Sequence, residues 1–211
     1  MIDKSVMIIT GTRKGIGKYL AEYFAEKGFF VIGCSRSDID FKLNNYQHYS
    51  LDISDESLVN KMFTMIRKKY GRLDVLINNA GVNYALSPLL LVPYESALKT
   101  VEVNLLGTFL LSREAAKIMK KKSFGRIVNL GSMAVKHEVK GEAIYTASKA
   151  AIVSFSRVIA KEIYRAKEVT FSAQAKKKLN EISDHGFNHF PVCMAKTQYS
   201  FSIDPSKNRI P

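Results

Sequence analysis

"SVMIITGTRKGIGKYLAEYFAEKG" spans residues 5–28, and its reading decides the fold. "SVMIIT" is a short apolar run rich in Ile and Val, as expected of a strand buried on both faces. A glycine-rich turn, "TGTRKGIG" (10–17), follows at once. An amphipathic helical pattern over about 15–27 completes a strand–turn–helix unit.

The same alternation continues along the chain. "FFVIGC" (29–34), "LDVLIN" (73–78) and "GRIVNLG" (125–131) read as further buried parallel strands, with "YQHYSL" (46–51) as a weaker one. Helical patterns lie at about 15–27, 55–69, 95–121 and 143–165. Strands alternating with helices predict an α/β fold, a doubly wound parallel sheet of Rossmann-like type. The pattern changes near residue 166, so residues 1–165 are read as one dinucleotide-binding domain and 166–211 as a short, irregular α/β tail. In that tail "FSAQAKKKLNEISDHG" (171–186) reads as a short helix capped by Ser172. "FPVCMA" (190–195) reads as a strand started by Pro191.

The 211 residues are 46% hydrophobic and 24% charged, which suits a single sizeable core and excludes wholesale disorder. The two cysteines form no spaced framework, so a reducing, cytoplasmic setting is expected. No apolar run reaches membrane-spanning length. The net charge of +13 is spread along the chain, which favours small anionic ligands over a dedicated nucleic-acid surface. The lysine run "KIMKKKS" (117–123) suits a helix C-terminus. His185, His189 and Cys193 are broken up by Gly186 and Pro191 and make no metal site; no metal is expected. His48 and His137 read as surface residues.

The glycine-rich turn is where chemistry first shows. Gly11, Gly15 and Gly17 allow a sharp turn and a close backbone approach to a pyrophosphate, which the following helix N-terminus attracts. The end of the second strand then selects the dinucleotide. An acid there suits a ribose 2′-hydroxyl and an arginine suits a 2′-phosphate. Here Ser35 and Arg36 occupy that place and Arg13 adds a second cation, so NADP is favoured. Asp38 and Asp40 speak for NAD if the strand runs longer.

"IYTASKAAI" (144–152) places Tyr145 one helical turn before Lys149, on one face. An ammonium about 4 Å from a phenol favours phenolate by roughly 4 kcal/mol at an effective dielectric near 20. That brings an ordinary tyrosine toward the range of a general acid or base. Ser132, after "RIVNLG", sits at the carboxyl end of the sheet, where its hydroxyl could stabilise a developing alkoxide. "NNAG" (78–81) ends the neighbouring strand in the same crevice. Asn104 is a polar amide in an apolar helix and needs a partner.

Taken together, "TGTRKGIG", "LD" (51–52), "NNAG", Asn104 in "VNLLG", Ser132 in "NLGSMA" and "YTASK" resemble the short-chain dehydrogenase/reductase family over residues 1 to about 162. The resemblance implies hydride transfer between a nicotinamide cofactor and a small carbonyl or alcohol substrate. It implies Asn104, Ser132, Tyr145 and Lys149 as catalytic residues, with Asn104 supporting a water that leads from Lys149 to solvent. It implies a cofactor site of Gly11, Thr12, Arg13, Gly15, Ile16, Gly17, Arg36, Asp52, Asn78, Ala80 and Gly81, joined by Tyr145 and Lys149. It further implies a homo-oligomer through the helices at 95–121 and 143–165.

The family pattern then stops short. The expected next strand, its Pro-Gly turn and the final strand are not apparent, so the sheet reads as truncated, with a bare edge after "GRIVNL". Residues 162–205 instead resemble a piece of formate–tetrahydrofolate ligase, chiefly in "PVCMAKTQYSFS" (191–202), which places a junction near 160–166. Two further readings follow: a catalytically silent nucleotide-binding protein, or a basic anion- or nucleic-acid-associated protein.

Overall fold

The structure, a computed structural model, describes residues 4–163 and the backbone of 169–174. Six strands form one wholly parallel sheet: β1 (Val6–Thr10), β2 (Phe30–Ser35), β3 (Tyr46–Ser50), β4 (Val75–Asn78), β5 (Gly125–Leu130) and β6 (Val169–Gln174). Their spatial order is β3-β2-β1-β4-β5-β6. The helices are α1 (Gly15–Glu26), α2 (Glu56–Tyr70), α3 (Tyr94–Val101), α4 (Thr108–Lys122), the short α5 (Ala134–His137) and α6 (Ala143–Ile163). The doubly wound reading of the sequence is thereby met, and the weak candidate at 46–51 is a true strand, β3.

Side-chain alternation explains the layering. Val6 and Ile8 of β1 join Phe63, Leu111 and Met119 in a core under α2 and α4. Met7 and Ile9 point the other way and join Leu20, Ala21 and Ala25 of α1. A strand buried on both faces favours apolar residues, and β1 has them from Val6 to Ile9, ending in the buried Thr10. α2 is capped by Asp55, whose side chain accepts from Leu58 N–H, and stopped by Gly71 at φ 65°. Lys120, Lys121 and Lys122 occupy the last turn of α4, as expected.

Three sequence readings need correction. The helix expected over 95–121 is interrupted by a π-helical stretch at Glu102–Gly107. Within it Thr108 Oγ1 donates to the Asn104 carbonyl at 2.7 Å, satisfying an acceptor in the altered ladder. Second, residues 171–174 are not the start of a helix capped by Ser172. They belong to β6, whose Val-Thr-Phe opening carries strand-favouring residue types. Third, the edge of β5 is not bare. β6 pairs with it in parallel from Gly125↔Val169 to Leu130↔Gln174, so the described sheet crosses the boundary expected at residue 165. The strand read at 190–195, the His185/His189/Cys193 group and most of the ligase-like stretch lie outside the described residues.

Among the described residues no helix is long and apolar enough to cross a membrane, and no cluster of metal-ligating side chains occurs.

Candidate active site

The sheet order reverses between β1 and β4, and the crevice at their carboxyl ends is where ligands of such sheets bind. Two loops meet there: the glycine-rich turn after β1 and residues 79–81 after β4. They are knitted by Thr10, whose Oγ1 accepts the backbone N–H groups of Asn79 at 2.9 Å and Ala80 at 2.8 Å. Asn79 Nδ2 returns a bond to the Thr10 carbonyl at 2.7 Å.

Gly11 and Gly15 have φ of 73° and 60°, in the left-handed region that favours glycine. A Cβ on Gly17 would fall on the Gly11 carbonyl oxygen, whereas one on Gly15 would meet nothing within 4 Å. Gly17 is therefore a packing glycine, and Gly15 borders open space. The N-cap of α1, Lys14, gives no side-chain hydrogen bond to the first helical N–H groups. Those donors, with the helix dipole, remain available to an anion. A pyrophosphate fits this backbone cradle.

The crevice has two contiguous halves that share Asn79, Gly81 and Val82. The first, about 370 Å³, is lined among others by Gly11, Arg13, Gly15, Arg36, Asp52 and Ala80. Ser35 and Ser37 line it too, but Asp38 and Asp40 do not. β2 ends at Ser35 and does not run on to either aspartate. Asp52 accepts from Ser54 N–H at 2.9 Å and Ser54 Oγ at 2.6 Å. Partial burial alone would raise its carboxyl pKa; the Ser54 bonds and the charges of Lys99 and Arg36 outweigh this and hold it below the ordinary value.

The second half, about 290 Å³, is lined by Ile16, Asn83, Ser132, Tyr145 and Lys149 among others. Residues 132, 145 and 149 come from two chain segments and converge here. Ser132 follows β5, and its Oγ accepts Ala134 N–H at 3.1 Å. Tyr145 and Lys149 share one face of α6, with Lys149 Nζ 6.0 Å from the tyrosine ring centre. Lys149 is only 5% exposed and donates to the Leu130 carbonyl at 3.0 Å. Burial lowers its ammonium from 10.5 to about 8. The lysine expected to tune the tyrosine is thus itself tuned by desolvation. Gly81 has no side chain because Lys149 Nζ and Asn104 Oδ1 would each lie 3.2 Å from a Cβ there.

Asn104 is fully buried and fully bonded. Its Oδ1 accepts Val82 N–H at 2.8 Å, and its Nδ2 donates to the Val82 carbonyl at 2.9 Å and to Ser148 Oγ at 3.0 Å. Ser148 Oγ in turn donates to the Tyr145 carbonyl. The amide therefore clamps the segment after β4 to the turn of α6 that carries Tyr145.

Two expected cofactor contacts are placed elsewhere. Asn78 is in the interior, where its Nδ2 donates to Ser112 Oγ at 3.0 Å and Asn129 Oδ1 at 2.8 Å. Its neighbour Asn79 lines both halves of the crevice. The alternation of side chains along a strand decides which asparagine faces inward, and "NNAG" alone does not show where β4 ends. Thr12 is fully buried, with its hydroxyl 2.8 Å from Tyr46 Oη. His48, read as a surface residue, is half-buried and bonded to Tyr46 and Ser35.

A family profile described as short chain dehydrogenase matches residues 5–176. The 3-oxoacyl-[acyl-carrier-protein] reductase FabG of Haemophilus influenzae is 32% identical over 164 residues, which are 75% of this chain and 67% of that protein. An NAD-dependent glycerol dehydrogenase of Listeria innocua is 36% identical over 167 residues, 76% of this chain and 65% of that one. The solved structure of ElxO with NADP bound superposes with a TM-score of 0.74 at 30% identity, covering 86% of this chain and 78% of that one.

Proposed function

Because the chain belongs to the short-chain dehydrogenase family and is an oxidoreductase of that type, we propose that it reduces small carbonyl compounds with NADPH, or oxidises the corresponding alcohols with NADP. The observation that carries this reading is the convergence of Ser132, Tyr145 and Lys149 on one cleft that continues into the glycine-lined half of the crevice. Gly11, Arg13, Gly15, Ile16, Arg36, Asp52, Ala80 and Gly81 would hold the dinucleotide, with Asn79 taking the place first expected of Asn78. Thr12 and Gly17 would shape the loop from beneath. The dissenting aspartates lie outside the cleft, and Arg13, Arg36, Ser35 and Ser37 suit a 2′-phosphate, which supports NADP over NAD.

The bound nicotinamide would supply the hydride in reduction and take it up in oxidation. The residues of the chain would handle the proton and the charge. Tyr145 would pass its hydroxyl proton to the substrate oxygen in reduction and recover it in oxidation. Ser132 Oγ would donate to the same oxygen as negative charge develops there. Lys149, cationic below about pH 8, would favour the phenolate left on Tyr145 and also reach the nicotinamide ribose. Asn104 would act as a positioning residue through Val82 and Ser148. Neither relative's substrate transfers by name, so the substrate class stays at small carbonyls.

NADPH oxidation followed with a panel of ketones tests the proposal. Tyr145→Phe is expected to lower kcat by about 10²–10⁴-fold while NADPH binding is kept. Turnover by the Phe variant at the wild-type rate would end the proposal. Cofactor binding without turnover of any ketone or alcohol would favour the catalytically silent reading.

We further propose a homo-oligomer through α4 and α6. Leu106 on the π-helical stretch before α4, Phe109 on α4 and Val158 on α6 are exposed, and Phe109 packs edge-on against Phe155 at 6.3 Å. Light scattering on the full chain at micromolar concentration is expected to give at least a dimer; a monomer there would refute this part.

A further inference from the structure

The first half of the crevice rests on a hydrogen-bonded chain that the reaction itself does not use. Thr12 Oγ1 is 2.8 Å from Tyr46 Oη, and Tyr46 Oη is 2.9 Å from His48 Nδ1. His48 Nε2 is 3.1 Å from Ser35 Oγ and 3.2 Å from the Ser37 carbonyl oxygen. Ser35 Oγ donates to that same carbonyl at 2.6 Å. The chain links the glycine-rich turn to the end of β2 by way of the edge strand β3.

Burial holds the His48 ring below its ordinary pKa, and for the neutral ring the proton directions follow from donor and acceptor roles. A carbonyl oxygen only accepts, so the proton of the His48 ring sits on Nε2. Nδ1 is then an acceptor, so Tyr46 Oη donates to it and must accept from Thr12 Oγ1. Thr12 has no exposure to water, so its proton has been given a definite place.

The consequence lies at Ser35. The Ser37 carbonyl has two donors within reach, Ser35 Oγ and His48 Nε2. If the Ser35 hydroxyl turns away to meet an anion, His48 still satisfies the carbonyl, and the turn carrying Arg36 keeps its shape. Without His48, the same rotation would leave that exposed carbonyl to water and remove the tie between the turn at Ser37 and β3, which loosens the setting of Arg36. His48 itself does not line the cleft.

We propose that His48 is a positioning residue for cofactor selectivity. It frees the Ser35 hydroxyl to bind the 2′-phosphate of NADPH and so raises the preference for NADPH over NADH. The inference rests on the NADP reading above.

Fluorescence titrations of NADPH and NADH on the full chain test it. His48→Phe is expected to weaken NADPH about five- to tenfold and to leave NADH within about twofold. His48→Gln, which keeps an N–H donor at similar reach, is expected to recover most of the loss. Equal weakening of both cofactors, or no change in either, would overturn the role given to His48. A wild-type protein that binds NADH as tightly as NADPH would instead overturn the cofactor reading. Should the Phe variant fail to fold, nitrogen-15 spectra of the wild-type imidazole decide: a neutral His48 protonated on Nδ1 rather than Nε2 would sink the inference.

Discussion

The two halves of the crevice are built in opposite ways. The glycine-lined half is made of backbone: positive-φ turns, a bare helix N-terminus and a threonine that ties two loops together. Its cations, Arg13, Lys14 and Arg36, are exposed. The substrate half is made of side chains, and its central cation, Lys149, is nearly out of water. Backbone dipoles are cheap to display because they are already aligned by the helix and turn. A buried ammonium is costly, and proteins retain such groups where chemistry needs them. The contrast teaches that backbone groups suffice to present the cofactor half, whereas the substrate half retains a desolvated cation whose charged form opposes folding.

Replacing Lys149 should break that contrast most sharply. A fall from 10.5 to about 8 corresponds to about 3 kcal/mol held against the charged form in the folded state. Lys149→Met is expected to lower kcat at least about 100-fold and yet raise stability at pH 7 by about 2 kcal/mol, since a lost bond to the Leu130 carbonyl offsets part of the gain. The sign with pH follows from the depressed value. The unfolded chain holds the proton longer, so wild-type stability gains from this group as pH rises from about 8 to 10.5. Urea melts of both proteins across that range should show the gain in the wild type and not in the variant.

Asn104 joins the halves, and its replacement should cost stability rather than add it. Asn104→Ala leaves both polar groups of Val82 without their partner, which predicts a loss of about 2–4 kcal/mol in denaturant melts. It should also lower kcat with little change in NADPH affinity, because Tyr145 and Lys149 lose their bracing through Ser148.

The adjacent asparagines sharpen the comparison with the smallest effects. Asn79→Ala should weaken NADPH several-fold by loosening the loop junction at Thr10 and Gly11. Asn78→Ala should cost about 1–3 kcal/mol of stability through the network with Ser112 and Asn129, and leave the dissociation constant of the stable fraction unchanged. Reversed outcomes for the pair would show that the inward-facing asparagine has been misassigned.

Much of this was legible beforehand. The apolar runs at 5–10, 29–34, 73–78 and 125–131 became β1, β2, β4 and β5 to within a few residues. The spacing of Tyr145 and Lys149 placed both in one cleft. The π-helical turn at 102–107 was not legible, because a π turn and an α turn share the same apolar pattern locally. β6 was missed because "EVTFSAQAKKKL" mixes strand-favouring and helix-favouring residues, and pairing with the open edge of β5 settled the matter. His48 looked superficial because edge-strand histidines usually are; only the fold brought Tyr46, Ser35 and Ser37 around it.

Residue order by itself determined the strand–turn–helix start, the alternation that makes a parallel sheet, and the set of side chains able to move a proton. These depend on periodicity and local chemistry, which act within a few residues of the chain. Tertiary structure alone decided which asparagine faces the crevice, that Lys149 is desolvated, and that a Thr12–Tyr46–His48–Ser35 chain exists. Each of these depends on which distant segments exclude water from one another, and no local pattern encodes that.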